Sequence, residues 1–352
     1  MELKIIKSEH KKEKPQGKLG FGKYFTDHMF IMEYADGEWK NARIQPYQDL
    51  HLDPSASVLH YAQGIFEGAK AYKNKQGEIR LFRLHDNLDR MCDSAERLCM
   101  PTFDKEFVYE AIKQLIFIDE EWIPTDDGTA LYIRPSMIAT EAALGVHASK
   151  TYYLFVIVGP VGAYYANGLA PVKLWVEESY VRAARGGTGG HKVIGNYAAS
   201  MKAGELAHAR GYDQALWLDA KYHRYVEEVG AMNIFFVIDG VAYTPALRGS
   251  ILPGITRRSV IQLLKEHGIK VREGNVDIRK VVEAAENGTL NEVFGTGTAA
   301  VISPVGLFAY KGKEYVVGGG MGEISKMIYA ELTGIQAGKV ADTHGWVDVI
   351  KK

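Results

Sequence analysis

Gly186, Gly187, Gly189 and Gly190 crowd the approach to Lys192, and Gly195 follows it. Glycine lets a backbone run close to a bound group, so such a run can present one lysine to a ligand instead of to water. Taken alone, a lysine in a glycine-rich turn reads as a solvated surface group. The next forty residues narrow the choice. Asn196 and Tyr197 open an amphipathic segment, Ala198 to Arg210, closed by Gly211 where a helix C′ residue belongs. Strands are expected at Gln214 to Asp219, at Tyr222 to Val226 and, almost wholly apolar, at Met232 to Ile238. Glu227 and Glu228 stand just before that apolar run, where a carboxylate is costly unless a cation partners it.

A lysine and a carboxylate on scaffold elements are what pyridoxal phosphate chemistry needs. The amine condenses with the aldehyde, and the carboxylate keeps the pyridine nitrogen protonated. Such a site also requires a phosphate cup. One candidate is Leu252-Pro253-Gly254-Ile255-Thr256-Arg257: helical spacing from Arg257 to His267, closed by Gly268, puts the amides of Ile255 and Thr256 at a helix N-terminus. A second is Phe294-Gly295-Thr296-Gly297-Thr298-Ala299, between strand-like Asn291 to Phe294 and Ala300 to Ile302, where amides and hydroxyls can meet an anion. Neither has Rossmann or P-loop spacing.

In this order, Lys-Val-Ile-Gly-Asn-Tyr, Glu-Val-Gly-Ala-Met-Asn-Ile-Phe, Leu-Pro-Gly-Ile-Thr-Arg and Gly-Thr-Gly-Thr-Ala resemble the class IV, fold type IV, pyridoxal phosphate aminotransferases. Within them the chain most resembles the branched-chain amino acid aminotransferases, from Phe25-Thr26-Asp27-His28-Met29 to its C-terminal region. The resemblance implies an α+β, two-domain fold: a smaller N-terminal α/β domain over 1–165, a connector over 166–178, and a larger C-terminal pseudo-barrel domain over 179–352 that carries the cofactor lysine. It implies Lys192 as the catalytic lysine, Glu228 on the pyridinium and Tyr197 on the ring hydroxylate. Arg90, with Ile255, Thr256 and Thr298, would hold the phosphate. Tyr132 would contact the substrate α-carboxylate with the amides of Thr298 and Ala299, and Arg134 with Tyr164 would accept the side-chain carboxylate of glutamate. Phe25, Tyr61 and Phe66 would line the apolar pocket, and the loop carrying Leu144 and Val146 would reach into a partner subunit, making a homodimer the minimal active unit. The implied reaction is transamination of L-leucine, L-isoleucine and L-valine with 2-oxoglutarate; the alternatives on this fold are a D-amino acid transaminase and an aminodeoxychorismate-type lyase.

The chain departs from the mammalian pattern at two places. Ala299-Ala300-Val301-Ile302 replaces a redox Cys-x-x-Cys, so no thiol switch is expected, and Ala231 stands where those members have threonine.

The rest of the chain is consistent with that reading. Its 352 residues, 47% hydrophobic, can bury a large core and suggest two domains. A formal net charge of -1 offers no basic patch for nucleic acid. Neither a signal-peptide apolar core in 1–33 nor a membrane-length apolar run is found, and no metal site is expected. Cys92 and Cys99, seven apart on one expected helix, read as a packed reduced pair, which favours the cytoplasm. Lys23 to Tyr34 reads as a strand turning at Asp36-Gly37 into Trp39 to Ile44, followed by short strands at Ala69 to Lys73 and Ile79 to Arg83. His85 to Leu98 and Phe107 to Ile118 have helical spacing, with Arg90 among Leu88, Met91 and Ala95. Strict alternation in Ala130 to Pro135 places Tyr132 and Arg134 on one strand face, a hydroxyl and a guanidinium suited to a carboxylate. Thr151 to Val158 is an apolar strand. Helices are expected at Asp277 to Asn287, with Asp277 as N-cap, and at Glu323 to Thr333, closed by Gly334.

Overall fold

The structure, a computed structural model, describes residues 1–162 and 170–351. Tyr164 and the first part of the expected connector lie outside the described residues; the rest of that connector is the strand Val172–Glu177. Two compact units emerge. One comprises Met1–Tyr164, Lys192–Gly195 and Ile335–Lys352, the other Tyr165–His191 and Asn196–Gly334.

The first unit is built on a sheet of nine strands among the described residues. Its order is Lys4–Ile5, Glu38–Pro46, His28–Ala35, Tyr152–Val161, Ala130–Ala139, Ala69–Lys73, Ile79–Phe82 and Val347–Ile350, with Gly64–Phe66 also on Ala130–Ala139. Asp36 and Gly37, at φ 58° and 86°, make the expected two-residue hairpin turn, which needs positive φ at both positions. The helices Leu84–Arg97 and Lys105–Ile118 bury Leu88, Met91, Ala95, Val108, Ile112 and Leu115 in the same core as Phe30, Leu81, Ile133 and Val156. The chain's end was expected within the 179–352 domain, with no strand read in it. A strand, Val347–Ile350, forms there and pairs antiparallel with Ile79–Phe82, and Ile350 enters this core. With that addition the first unit is the longer of the two.

The second unit carries ten strands among the described residues. They run Val271–Gly274, Val241–Pro245, Asn233–Ile238, Leu290–Gly297, Val301–Tyr310, Val172–Glu177, Gln214–Leu218, Tyr225–Val229 and Val276–Asp277, with Lys313–Val316 also on Val301–Tyr310. Phe236, Leu216, Val229, Ile234 and Phe308 fill its core, together with Ile278 and Val281 from the helix Ile278–Glu286. Asp277 caps that helix through a bond from the Arg279 amide (3.1 Å), as expected.

Three expectations shift. The strand expected from Tyr222 begins at Tyr225, because the Asp219 carboxylate gathers the amides of Lys221, Tyr222, Arg224 and Tyr225 into a turn. Glu227 and Glu228 consequently lie inside a buried strand. The last helix runs through Gly334, Glu323–Ala337, and it is Gly338, at φ 76°, that follows its end. Cys99 lies beyond the Leu84–Arg97 helix at φ 54°; it is exposed, Cys92 is half-buried, and both are free thiols. Among the described residues no helix is long and apolar enough to cross a membrane.

Candidate active site

In the first unit the Leu84–Arg97 helix repeats a polar side chain once per turn on its buried face: Asn87, Arg90, Ser94. Each has a defined partner. Arg90 forks onto Glu67, Nε to Oε1 at 2.7 Å and Nη2 to Oε2 at 2.8 Å, and Asn87 Nδ2 donates to the same Oε2 at 2.8 Å. Ser94 Oγ accepts the Lys192 amide (3.0 Å) and donates to the Arg90 carbonyl (2.9 Å). The Lys192 carbonyl accepts from the Phe66 amide (3.1 Å), with Ile65 and Val193 bridged beside it. Lys192 is half-buried, and its Nζ lies 4.7 Å from the centre of the Phe66 ring. The structure therefore brings Lys192, Phe66 and Arg90 together around Glu67.

Tyr132 and Arg134 do share one face of Ala130–Ala139, both half-buried between buried Leu131, Ile133 and Pro135. Arg134 Nη2 donates to the Tyr132 hydroxyl at 3.1 Å, and the guanidinium lies 4.8 Å over the Phe66 ring. Its Nε is buried without a partner, an atom that a carboxylate would satisfy. A Cβ at Gly68 would collide with the Tyr132 hydroxyl, so only glycine leaves that oxygen its place. Phe25 stacks on Tyr47, and it is Phe21 that meets the Tyr132 ring, edge-on at 4.9 Å. Tyr61 hydrogen-bonds the Leu144 carbonyl on the surface, where Leu144 and Val146 are exposed.

In the second unit, Glu228 is buried and ion-paired to Arg182, itself buried and donating to the Ser250 carbonyl at 2.7 Å. Asn233 Nδ2 donates to Glu228 Oε1 (3.2 Å) and to the Leu252 carbonyl (2.9 Å), tying the carboxylate to the chain that enters Ile255–Glu266. That helix starts at Gly254 with no side-chain cap, leaving the first-turn amides, including those of Ile255 and Thr256, for an anion. A Cβ at Gly254 would collide with Asn233 Oδ1. Asn233 also pairs across the sheet with Thr296, whose buried hydroxyl has no hydrogen-bond partner. Thr298 and Ala299 form the hairpin turn that follows, and Val301 closes it at φ 61°. A β-branched residue there is strained by roughly 1–3 kcal/mol, which burial of its side chain offsets. Tyr197 is half-buried near the start of Ile194–Ala209.

A family model described as amino-transferase class IV matches residues 64–308. This chain is a class IV aminotransferase. It is 52% identical over 347 residues to branched-chain-amino-acid aminotransferase 2 of Bacillus subtilis strain 168, covering 98% of this chain and 96% of the relative. Among solved structures, the branched-chain amino acid aminotransferase of Escherichia coli is similar at 30% identity and a TM-score of 0.76, over 92% of this chain and 99% of that one. The T.th. branched-chain amino acid aminotransferase complexed with N-(5'-phosphopyridoxyl)-L-glutamate is similar at 28% identity and a TM-score of 0.72, over 91% and 98%. The aminotransferase fold type is thereby shown.

Each unit carries groups that suit a pyridoxal-type cofactor: the first an amine on a glycine-flanked segment, the second a buried carboxylate, an uncapped helix N-terminus and an orphaned threonine hydroxyl. Sequence reasoning missed Glu67, Ser94, Arg182 and Asn233. Two signals could have found them. Glu67 is a charge in the otherwise apolar Gly64-Ile65-Phe66 run, and Arg182 is the cation that a buried Glu228 demands. Lys70 was also missed; it is buried, and burial pushes its amine down to about 8.

Proposed function

We propose that this enzyme uses pyridoxal 5'-phosphate to move the amino group of L-leucine, L-isoleucine or L-valine to 2-oxoglutarate, yielding branched-chain 2-oxo acids and L-glutamate. The observation that carries the reading is the 52% identity, across almost the whole of both chains, to a relative named a branched-chain-amino-acid aminotransferase. The D-amino acid transaminase and aminodeoxychorismate-lyase readings have no such support.

The bound cofactor supplies the aldehyde and the electron sink. Lys192 would hold the cofactor through its amine and, as the free amine, would move the proton between substrate Cα and cofactor C4′. Glu228, held by Arg182 and Asn233, would keep the ring nitrogen protonated, and Tyr197 would hydrogen-bond the ring oxygen. Arg90, the Ile255 and Thr256 amides and Thr298 bind phosphate. Tyr132 and the Thr298–Ala299 turn take the α-carboxylate, with Phe25 and Phe66 around the side chain. Arg134 and Tyr164 take the γ-carboxylate when the substrate is glutamate or 2-oxoglutarate.

We also propose a homodimer in the cytoplasm. Tyr61, Leu144 and Val146 form an exposed apolar surface, with Val146 84% accessible, and such patches mark contact sites. Sedimentation equilibrium checks this; a monomer at assay concentration overturns it. Lys192→Ala tests the reaction. Turnover should vanish along with borohydride-stable attachment of the cofactor, and undiminished transamination would refute the assignment.

A further inference from the structure

Glu67 is a side chain for which transamination as described above has no use, and it is fully buried. Four donors converge on it: Arg90 Nε, Arg90 Nη2, Asn87 Nδ2 and the Gly68 amide at 3.2 Å. A carboxylate in such a place is expensive unless every lone pair is met, and once met it fixes one arrangement of its partners. The partners matter here. Arg90 is the residue assigned to the cofactor phosphate, and Phe66, the neighbour of Glu67, holds the Lys192 carbonyl. Ser94, one turn beyond Arg90, holds the Lys192 amide. The charged groups acting on Glu67 are Arg90 from the Leu84–Arg97 helix and Lys192 from the glycine-rich segment. Burial pushes the Glu67 carboxyl up, but the Arg90 charge and hydrogen bonds, then Lys192 and Asn87, outweigh it and hold the group below the usual carboxylate range.

We propose that Glu67 is the positioning residue shared by Arg90 and Lys192: it sets the plane of the arginine fork and places a fixed negative charge beside the cofactor lysine. This rests on the reading of Lys192 and Arg90 as cofactor residues. Glu67 is fully buried and spends its oxygens on Arg90, Asn87 and the Gly68 amide. It acts through Arg90 by a bidentate bond that fixes the plane of the guanidinium, and through Lys192 by its field. A purely structural carboxylate would change thermal stability alone. A positioning one also changes cofactor affinity and the titration of the lysine–cofactor linkage.

The experiment uses holoenzyme carrying Glu67→Gln or Glu67→Asp, with two readouts: the pH midpoint of the visible cofactor band, and the dissociation constant for pyridoxal phosphate added to stripped protein. Removing the negative charge makes a protonated linkage less favourable, so E67Q should move the midpoint down by about one pH unit. It should also weaken cofactor binding roughly ten-fold, as a buried arginine loses its charged partner. E67D keeps the charge but withdraws it by one methylene; its midpoint should stay near the parent's while affinity still falls. An E67Q midpoint equal to the parent's overturns the proposal. Should E67Q fail to fold, E67D decides, since parent-like cofactor affinity there overturns it as well. Borohydride reduction and peptide mapping of the parent separate the two levels. Cofactor found on another lysine sinks the reading of Lys192, whereas cofactor on Lys192 with an unmoved midpoint sinks only the role of Glu67.

Discussion

Arg134 is the residue through which the proposed pocket would accept two kinds of substrate. Its guanidinium lies 4.8 Å from the centre of the Phe66 ring and donates to the Tyr132 hydroxyl, so in the proposed pocket an apolar substrate would meet the aromatic rings and an acidic one a cation. Replacing it, Arg134→Gln, should raise KM for 2-oxoglutarate or glutamate by roughly ten-fold or more, the worth of a charge-assisted pair, and disturb KM for leucine far less. Steady-state kinetics with each substrate alone varied checks this; equal losses for both would place Arg134 outside the discriminating contact. At this scale the sequence was informative where chemistry demands a residue type. A nucleophilic lysine among glycines and a Tyr-x-Arg alternation are visible in the letters, because strand geometry puts residues two apart on one face. Arg182 and Ser94 were not. Their importance lies in what they touch, Glu228 46 residues away and Lys192 98 residues away, and no local pattern encodes those meetings.

The helices and strands were legible in outline, and their errors have local physical causes. Asp219 uses its carboxylate to collect four amides, which delays the Tyr225–Val229 strand by three residues and carries Glu227 and Glu228 into the buried part of it. Gly334 did not end the last helix, since glycine inside a helix costs only about 1 kcal/mol and packing of Ile328, Leu332 and Ile335 outweighs it. Asp277 illustrates a cap that also titrates. Burial pushes its carboxyl up, but hydrogen bonds from Arg279 and Arg224 prevail and hold it well below the ordinary carboxylate range. A carboxyl lowered on folding stabilises above its unfolded pKa and loses that contribution as pH falls through the folded value. Asp277→Ala should therefore cost about 1 kcal/mol at neutral pH, mostly for the lost cap because both arginines are substantially exposed. The gap in melting temperature between variant and parent should narrow below about pH 4. A gap constant from pH 7 to pH 3 would exclude the charged cap as its source.

At the scale of the molecule, the C-terminal segment leaves the half of the chain that precedes it and completes the sheet of the first unit. Trp346 packs edge-on against Phe82, its carbonyl accepts the Arg83 amide at 2.7 Å, and Ile350 is buried. Deleting residues 346–352 exposes that edge and removes two buried side chains, about 3–6 kcal/mol at 1.5–3 kcal/mol each. The first unfolding transition should fall by on the order of 10 °C; calorimetry showing an unchanged transition would mean the strand adds nothing to the unit. The sequence by itself determined the class IV motifs, their order, the lysine, the tyrosine–arginine face and the helix N-terminus for an anion. Each is a short-range pattern read from residue chemistry, strand or helix period, and glycine placement. Only the tertiary structure decided that Glu67 joins Arg90 to the Lys192 segment, that Arg182 and Asn233 hold Glu228, and that the chain's end belongs with its beginning. Those are long-range pairings, selected by the need to satisfy buried charge and bury apolar surface across the whole fold, and sequence distance carries no record of them.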